Sequence, residues 1–236
     1  MIKKIDILGI QLDNHTVREA IRQVETYLSN DVLNTIEKVS MKMLLAAETD
    51  PVVREAISSM DLTVIGEKEI IQAAGVATMQ RVQETKENDF ANEFFKRVER
   101  NKKSLFLLGE TEEKLVHVKE ELQKDFPKLI FAGEYALEDC IGDLEAVIND
   151  MNATTPDVIL SVLPSPQQEH FLMEHKDKMN ANIWYGAGES SLQKKKRRSI
   201  GSILQSKMHL ERLKNSIDKY EKNSEVESED KKENEA

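Results

Sequence analysis

The sequence predicts an α/β protein: a doubly wound, Rossmann-like sheet with helices on both faces, followed by a C-terminal helical appendage. Two observations predict this fold. Short apolar runs typical of strands alternate along the chain with segments whose apolar residues recur at helical spacing. Within residues 156–178, a buried strand leads through a Pro-Ser-Pro turn into a helix, and open α/β sheets bind ligands at such strand ends.

The N-terminal half predicts strands over residues 5–8, 33–39 and 62–65. The first helix is expected over residues 17–28, where apolar side chains share one face, with Asn14 and Thr16 as alternative N-caps. Asp50 and Pro51 predict the start of another helix, because aspartate caps a helix and proline suits its first position. Other segments with helical periodicity lie at residues 43–47, 67–74 and 90–98.

The C-terminal half continues the alternation after a polar stretch over residues 78–87. Strands are expected over residues 104–108, 129–132, 158–162 and 183–185. Helices are expected around residues 115–122, over 141–151, from Gln167 onward, and over 199–220. We therefore expect an α/β domain over residues 1–198, a helical appendage over 199–220, and a disordered acidic tail over 221–236, whose composition is too polar to bury a core.

Composition indicates a cytoplasmic protein. The 33 basic and 43 acidic residues give a net charge of −10, and no apolar run approaches the roughly 18 residues that span a bilayer. The N-terminus lacks the features of a signal peptide. The single cysteine, Cys140, excludes an internal disulfide, and its acidic neighbours Glu138 and Asp139 disfavour a reactive thiolate.

A basic run over residues 194–198 leaves several interpretations open. It is either a solvated loop or a surface for an anionic lipid or a phosphate-bearing ligand. Nucleic acid is not expected as a partner, because no aromatic residues interleave the run and the chain is acidic overall. Spacing of the five histidines predicts no metal site, and the glycine pattern predicts no redox cofactor.

The segment after residue 155 carries a family resemblance. Its residues Pro156, Asp157, Pro166, Gln168 and Glu169 follow the pattern P-D-hydrophobic-run-G-x-P-x-Q-E-x-W. The chain therefore resembles the WecG/TagA/CpsF glycosyltransferases. Weaker matches in the same order extend the resemblance from residue 7 to residue 213: they lie at 7–16, 50–51, 61–62, 107–109, 186–188 and 210–213.

The resemblance implies a function in cell-surface polysaccharide synthesis, such as that of teichoic acid. Members are implied to transfer N-acetylmannosamine, or a related sugar, from a UDP donor to a lipid-diphosphate-linked sugar, with inversion and without a metal or cofactor. The protein would then lie at the inner face of the membrane, with an anionic membrane surface and an oligomer as candidate partners. The implied substrate-binding residues are Ser40, Gly66, Gly109, Pro166, Gln168, Glu169, Gly186 and Gly188.

The chain departs from the family where the chemistry is expected. The family's P-D-G, which carries the presumed catalytic aspartate, aligns with residues 65–67, so that Gly66 stands in the aspartate's place. Glu67 and Asp89 are the remaining candidate bases. The family's T-x-N aligns with Lys38 and Ser40, and the appendage lacks the family's tryptophan and arginine.

Two hypotheses follow. The first is a UDP-sugar-binding family protein whose catalysis is impaired, and the alternative is a non-catalytic binding or regulatory relative of an active paralogue. In a purely structural interpretation, Pro166, Gln168 and Glu169 form a turn followed by polar helix caps. A more distant hypothesis is a membrane-surface adaptor that uses the basic run and the terminal helix.

Overall fold

A six-stranded parallel sheet forms the centre of the protein. The computed structural model describes residues 4–140, 144–188, 207–220 and 222–223. Its strands are β1 (Lys4–Ile7), β2 (Ile10–Asp13), β3 (Asn34–Val39), β4 (Leu62–Ile65), β5 (Ser104–Gly109), β6 (Ile130–Ala136), β7 (Val158–Ser161) and β8 (Ile183–Gly186). The main sheet has the order β4-β3-β8-β7-β5-β6, and every adjacent pair is parallel. The predicted doubly wound fold is confirmed.

Helices connect the strands and cover both faces of the sheet. They are α1 (Val17–Tyr27), α2 (Met41–Ala46), α3 (Pro51–Ser58), α4 (Lys68–Ala73), α5 (Met79–Glu87), α6 (Asp89–Arg100), α7 (Glu112–Asp125), α8 (Glu145–Ala153) and α9 (Gln167–His175). A further helix, α10, covers residues 207–220. Helices α1, α6 and α7 pack on one face, and α3, α8 and α9 pack on the other.

The N-terminal strand does not join the main sheet as the alternating pattern implied. Strands β1 and β2 instead form a separate antiparallel hairpin whose turn residues, Leu8 and Gly9, both have positive φ angles, of 58° and 76°. Two left-handed residues give the backbone twist that suits a two-residue hairpin turn. The hairpin lies beside β4, where the Asp13 carboxylate accepts hydrogen bonds from the Thr63 backbone N–H at 2.9 Å and the Thr63 hydroxyl at 3.0 Å.

The hairpin and the C-terminal helix share one apolar cluster. Helices α2, α3 and α4 also contribute to this cluster, and Leu213 of α10 is fully buried in it. The predicted appendage is thus a packed helix over residues 207–220. The expected domain boundary at 198/199 lies outside the described residues, as does nearly all of the acidic tail. Across the described ranges, no helix is long and apolar enough to cross a membrane.

Local chemistry explains where several helices begin. Thr16 caps α1 and forms a capping box with Glu19, whereas Asn14 does not serve as the cap. The Asp50 carboxylate accepts hydrogen bonds at the start of α3, with Pro51 in the first turn as predicted. Residues 79–87, where the sequence indicates only a polar stretch, form α5; it buries no residue fully, so hydrophobic periodicity gave no signal.

Candidate functional site

The candidate site lies at the carboxyl ends of the central strands. Strands β4, β3, β8 and β7 are neighbours in the sheet, so the segments that follow them meet along one edge. This edge brings together the predicted residues Ser40, Gly66, Pro166, Gly186 and Gly188. In open α/β folds such an edge is where ligands bind.

Gln168 is held at this edge by a residue that sequence reasoning missed, Glu37. The Gln168 amide donates a hydrogen bond from Nε2 to Glu37 Oε1 at 2.7 Å, and its Oε1 accepts one from Gly188 N at 3.4 Å. Both side chains are fully buried. A Cβ at position 186 would overlap Glu37 Oε2 and lie 2.7 Å from Gln168 Nε2, so only glycine fits there.

Glu37 and Glu169 form a pair of buried carboxyl groups behind this edge. Burial raises the pKa of Glu37 well above its ordinary value, and the negative charge of Glu169 raises it further. Burial also raises the pKa of Glu169, while its own backbone N–H and the Ser165 hydroxyl partly oppose the shift. Glu169 is fully buried one turn after the cis Ser165–Pro166 peptide bond. Burial therefore disfavours the charged form of both carboxyl groups.

On the opposite face of the sheet, Lys38 occupies the space beside Gly66. A Cβ built on Gly66 would lie 3.0 Å from Lys38 Cγ, 3.1 Å from Lys38 Cε and 2.9 Å from the Val39 carbonyl oxygen. The Lys38 amine donates a hydrogen bond to Asn88 Oδ1 at 3.1 Å. Burial lowers the pKa of Lys38 to about 8, although Glu67 opposes the shift. An amine-bearing chain thus fills the place where the resemblance puts a carboxylate.

Glu67, one of the two candidate bases, supports a helix start. Its Oε1 accepts a hydrogen bond from the Met41 backbone N–H at 2.8 Å, at the first turn of α2. Ser40 caps the same helix through Oγ, which accepts from Met43 N at 3.2 Å. Burial raises the pKa of Glu67, the Met41 N–H lowers it, and Glu69 raises it. Ser40 and Glu67 thus satisfy N–H groups that a helix terminus would leave unpaired.

A small cavity borders Lys38 and Gly66. Its volume of about 30 Å³ is room for roughly one water molecule. The polar groups that line it are Asp13, His15, Lys38, Thr63, Arg81, Glu84, Thr85, Asn88 and Tyr185. Tyr185 is fully buried, and its hydroxyl, like Arg81 Nε, has no hydrogen-bond partner among the described residues. A nucleotide sugar needs several hundred Å³, so it does not fit this cavity as it stands.

Gly66 is the only predicted site residue that lines this cavity, and two of the others, Asp89 and Gly109, lie in different parts of the fold. Asp89, the second candidate base, begins α6 and lines a separate groove with residues of α1. Burial raises its pKa, and the acidic side chains of Glu84 and Glu87 raise it further. Gly109 ends β5, which β7 separates from β8, and a Cβ there would press on Leu115 of α7 at 2.7 Å. Its glycine therefore serves the packing of α7 on the sheet.

The described residues contain no group of three or more histidine, cysteine, aspartate or glutamate side chains that could hold a metal ion. Trp184 is fully buried and stacks on Phe171, with ring centroids 5.9 Å apart, so it packs within the core. The polar groups described at the carboxyl edge of the sheet thus include the Lys38 amine, the Gln168 amide and the buried carboxyl groups of Glu37 and Glu169.

A parallel doubly wound sheet with helices on both faces defines a Rossmann-like fold. Comparison with known proteins identifies the family, which the fold alone does not. The sequence pattern of the Glycosyl transferase WecG/TagA/CpsF family matches residues 5–194, and the chain belongs to this family. Among its relatives are N-acetylglucosaminyldiphosphoundecaprenol N-acetyl-beta-D-mannosaminyltransferases of Staphylococcus aureus strains NCTC 8325, COL and MRSA252. Each is 26% identical over 192 residues, covering 79% of this chain and 74% of the relative.

Proposed function

We propose that this protein binds a UDP-sugar of the N-acetylmannosamine class in cell-surface polysaccharide synthesis but no longer transfers the sugar. The observation that carries this proposal is the contact between Lys38 and Gly66. Sugar transfer to a hydroxyl needs a base within hydrogen-bond reach of the acceptor proton. At the position that the resemblance assigns to that base, the chain has no side chain and an amine-bearing neighbour.

The geometry of the other acidic residues supports the loss of transfer. Glu67 bonds the first turn of α2, and Asp89 borders a different groove. A general base contributes about 10²–10⁴-fold to the rate, and a displacement of about 1 Å costs about 10²-fold. Neither carboxylate therefore substitutes for one that projects from position 66.

The contacts of Gln168 and Pro166 at the carboxyl edge of the sheet support retained binding. Gln168 is positioned by Glu37 beneath the loop of residues 186–188, and Pro166 shapes the turn before α9. The S. aureus relatives are named for transfer of N-acetylmannosamine to N-acetylglucosaminyldiphosphoundecaprenol. By analogy, the donor is a UDP-linked N-acetylhexosamine, and the lipid-diphosphate-linked sugar is the acceptor against which transfer is tested.

The test combines binding with turnover. Calorimetry with UDP and UDP-N-acetylmannosamine measures binding, and a UDP-release assay with a lipid-diphosphate-linked N-acetylglucosamine acceptor measures transfer. Binding without acceptor-dependent UDP release is the expected result. Transfer at rates typical of enzymes, about 1 s⁻¹ or more, would overturn the proposal. Absence of nucleotide binding would also overturn it and leave the regulatory alternative, a partner of an active paralogue.

A second candidate is an active transferase with Glu67 as the base. In its favour, Glu67 is adjacent to Gly66 and burial raises its pKa, which is the direction that suits a base near neutral pH. This candidate requires acceptor-dependent turnover in the native protein and at least a 10²-fold loss in Glu67→Gln. Equal turnover in the two proteins would remove Glu67 from consideration.

A peripheral position at the membrane remains part of the proposal. Helix α10 exposes Lys207, Arg212, Lys214 and Lys219, and the basic run over 194–198 lies outside the described residues. Basic side chains near an anionic surface contribute about 1 kcal/mol each. Co-sedimentation with phosphatidylglycerol vesicles should fall when residues 194–198 are replaced by serine. Unchanged co-sedimentation would contradict a role for this run.

A further inference from the structure

The side chain of Lys38 passes beside Gly66 and limits the size of a side chain that position 66 can accommodate. The side chain leaves β3 on the face that carries α1 and α6, and its Cγ and Cε lie 3.0 and 3.1 Å from where the first atom of a residue-66 side chain would be. Its amine continues to Asn88, which joins α5 to α6 with a left-handed backbone, φ 56°. The stem of Lys38 is therefore held at both ends, by its strand and by Asn88.

Two obstacles of different kind oppose a side chain at position 66. The Val39 carbonyl oxygen is backbone and accepts the Gly66 N–H at 2.8 Å, so it moves only if the ends of β3 and β4 move. The Lys38 methylenes are side-chain atoms, and a shorter residue at position 38 removes them. The loss of folding stability caused by a side chain at position 66 must then depend on the length of the side chain at position 38.

We infer that Lys38 determines what the pocket at the carboxyl end of β4 can hold, and that residues 38 and 66 act as a coupled pair. A long side chain at position 38 raises the free-energy cost of one at position 66. This inference rests on the family placement used for the proposed function but concerns the chain's own packing. A carboxylate at position 66 should therefore cost less stability together with a short residue 38.

The test is a double-mutant cycle read by thermal unfolding. Gly66→Ala in the native background should lower the thermal midpoint by about 4–8 °C, because overpacking forces neighbouring atoms to shift. In the Lys38→Ala background, the same change should cost less than half as much, the remainder being the Val39 carbonyl contact. Equal losses in the two backgrounds would overturn the inference, because residues in contact are expected to be non-additive.

Lys38→Met separates length from charge. Methionine keeps a long, unbranched chain without the amine, so Gly66→Ala should remain costly in the Lys38→Met background. Relief by methionine equal to that by alanine would show that charge, and not occupied space, opposes residue 66. That outcome would contradict the steric pairing inferred here.

Gly133 provides a matched control. A Cβ there would lie 2.9 Å from the Phe106 ring, on another part of the sheet. Gly133→Ala should therefore cost the same with lysine or alanine at position 38. If Gly66→Ala fails to fold with either residue at position 38, the Val39 carbonyl is the sole obstacle and the inference fails. Because unfolding needs no ligand, this failure is distinguishable from a failure of nucleotide binding.

Discussion

Glu37 and Lys38 are consecutive residues of β3, and their side chains project from opposite faces of the sheet. Glu37 meets Gln168 of α9 on one face, whereas Lys38 crosses Gly66 and reaches Asn88 on the other. The period of two along a strand makes this division unavoidable. One strand end therefore positions Gln168 on one side of the sheet and lines the small cavity on the other.

Replacing Glu37 should change how stability depends on pH. The folded pKa of Glu37 lies above the ordinary value of 4.5, so the folded protein holds a proton that the unfolded chain releases as pH rises. Its stabilising contribution is full below pH 4.5 and is lost as pH rises through the folded pKa. Glu37→Gln, which keeps the shape of the side chain, should lose less stability than the native protein as pH rises from 4 to 8. Urea unfolding from pH 4 to 8 measures this.

The control for that experiment is Glu113→Gln, because Glu113 is exposed on α7. Its curve of unfolding free energy against pH should follow that of the native protein. A Glu37→Gln curve parallel to the native one would mean that Glu37 does not retain its proton on folding.

The lowered pKa of Lys38 predicts that its effect on stability changes with pH in the alkaline range. Its pKa falls from 10.5 in the unfolded chain to about 8 in the folded protein, so folding releases a proton between these values. The stability associated with this group is present above pH 10.5 and is lost as pH falls through 8. As pH falls from 10.5 to 7, the unfolding free energy of Lys38→Met should therefore rise by about 1–3 kcal/mol relative to that of the native protein. Lys96→Met, at an exposed lysine of α6, should show no such trend.

Gln168→Leu should weaken both the fold and the proposed nucleotide binding. It removes the side-chain donor to Glu37 Oε1 and an acceptor for Gly188 N, so that this buried carboxyl oxygen loses a hydrogen bond. Losing such a partner costs about 1–3 kcal/mol. Gln167→Leu is the control, because the neighbouring Gln167 is exposed. Equal effects of the two changes on unfolding and on UDP calorimetry would contradict a positioning role for Gln168.

Glu67→Ala should destabilise the protein by about 1 kcal/mol, because the Met41 N–H at the start of α2 loses its acceptor. Glu67→Gln keeps an acceptor and should recover most of that loss in chemical unfolding. Identical losses in the two variants would show that the carboxylate charge, and not the hydrogen bond, stabilises this helix.

Leu213→Ala should release α10 from the body of the protein. The side chain is fully buried in the cluster of the hairpin, and such a truncation costs about 2–5 kcal/mol. Faster proteolysis within residues 207–220 measures this release. Met208→Ala, at a side chain that is 46% exposed, is the matched control and should leave the cleavage rate unchanged.

Periodicity and local motifs predicted most of the fold, because buried strands and amphipathic helices carry their pattern in sequence. They missed β2, whose apolar alternation spans only four residues, and α5, which has no buried face. The site was harder. Glu37 was visible as an acid inside an apolar strand, but its partner, Gln168, is 131 residues away, and no local signal joins them. The approach of Lys38 to Gly66 depends likewise on the pairing of β3 with β4, which local pattern does not reveal.

The shared cluster of β1, β2 and α10 fastens the two ends of the described chain to each other, with Tyr220 resting against Gly9. Deleting either the hairpin or α10 would therefore leave the same apolar surface open to water.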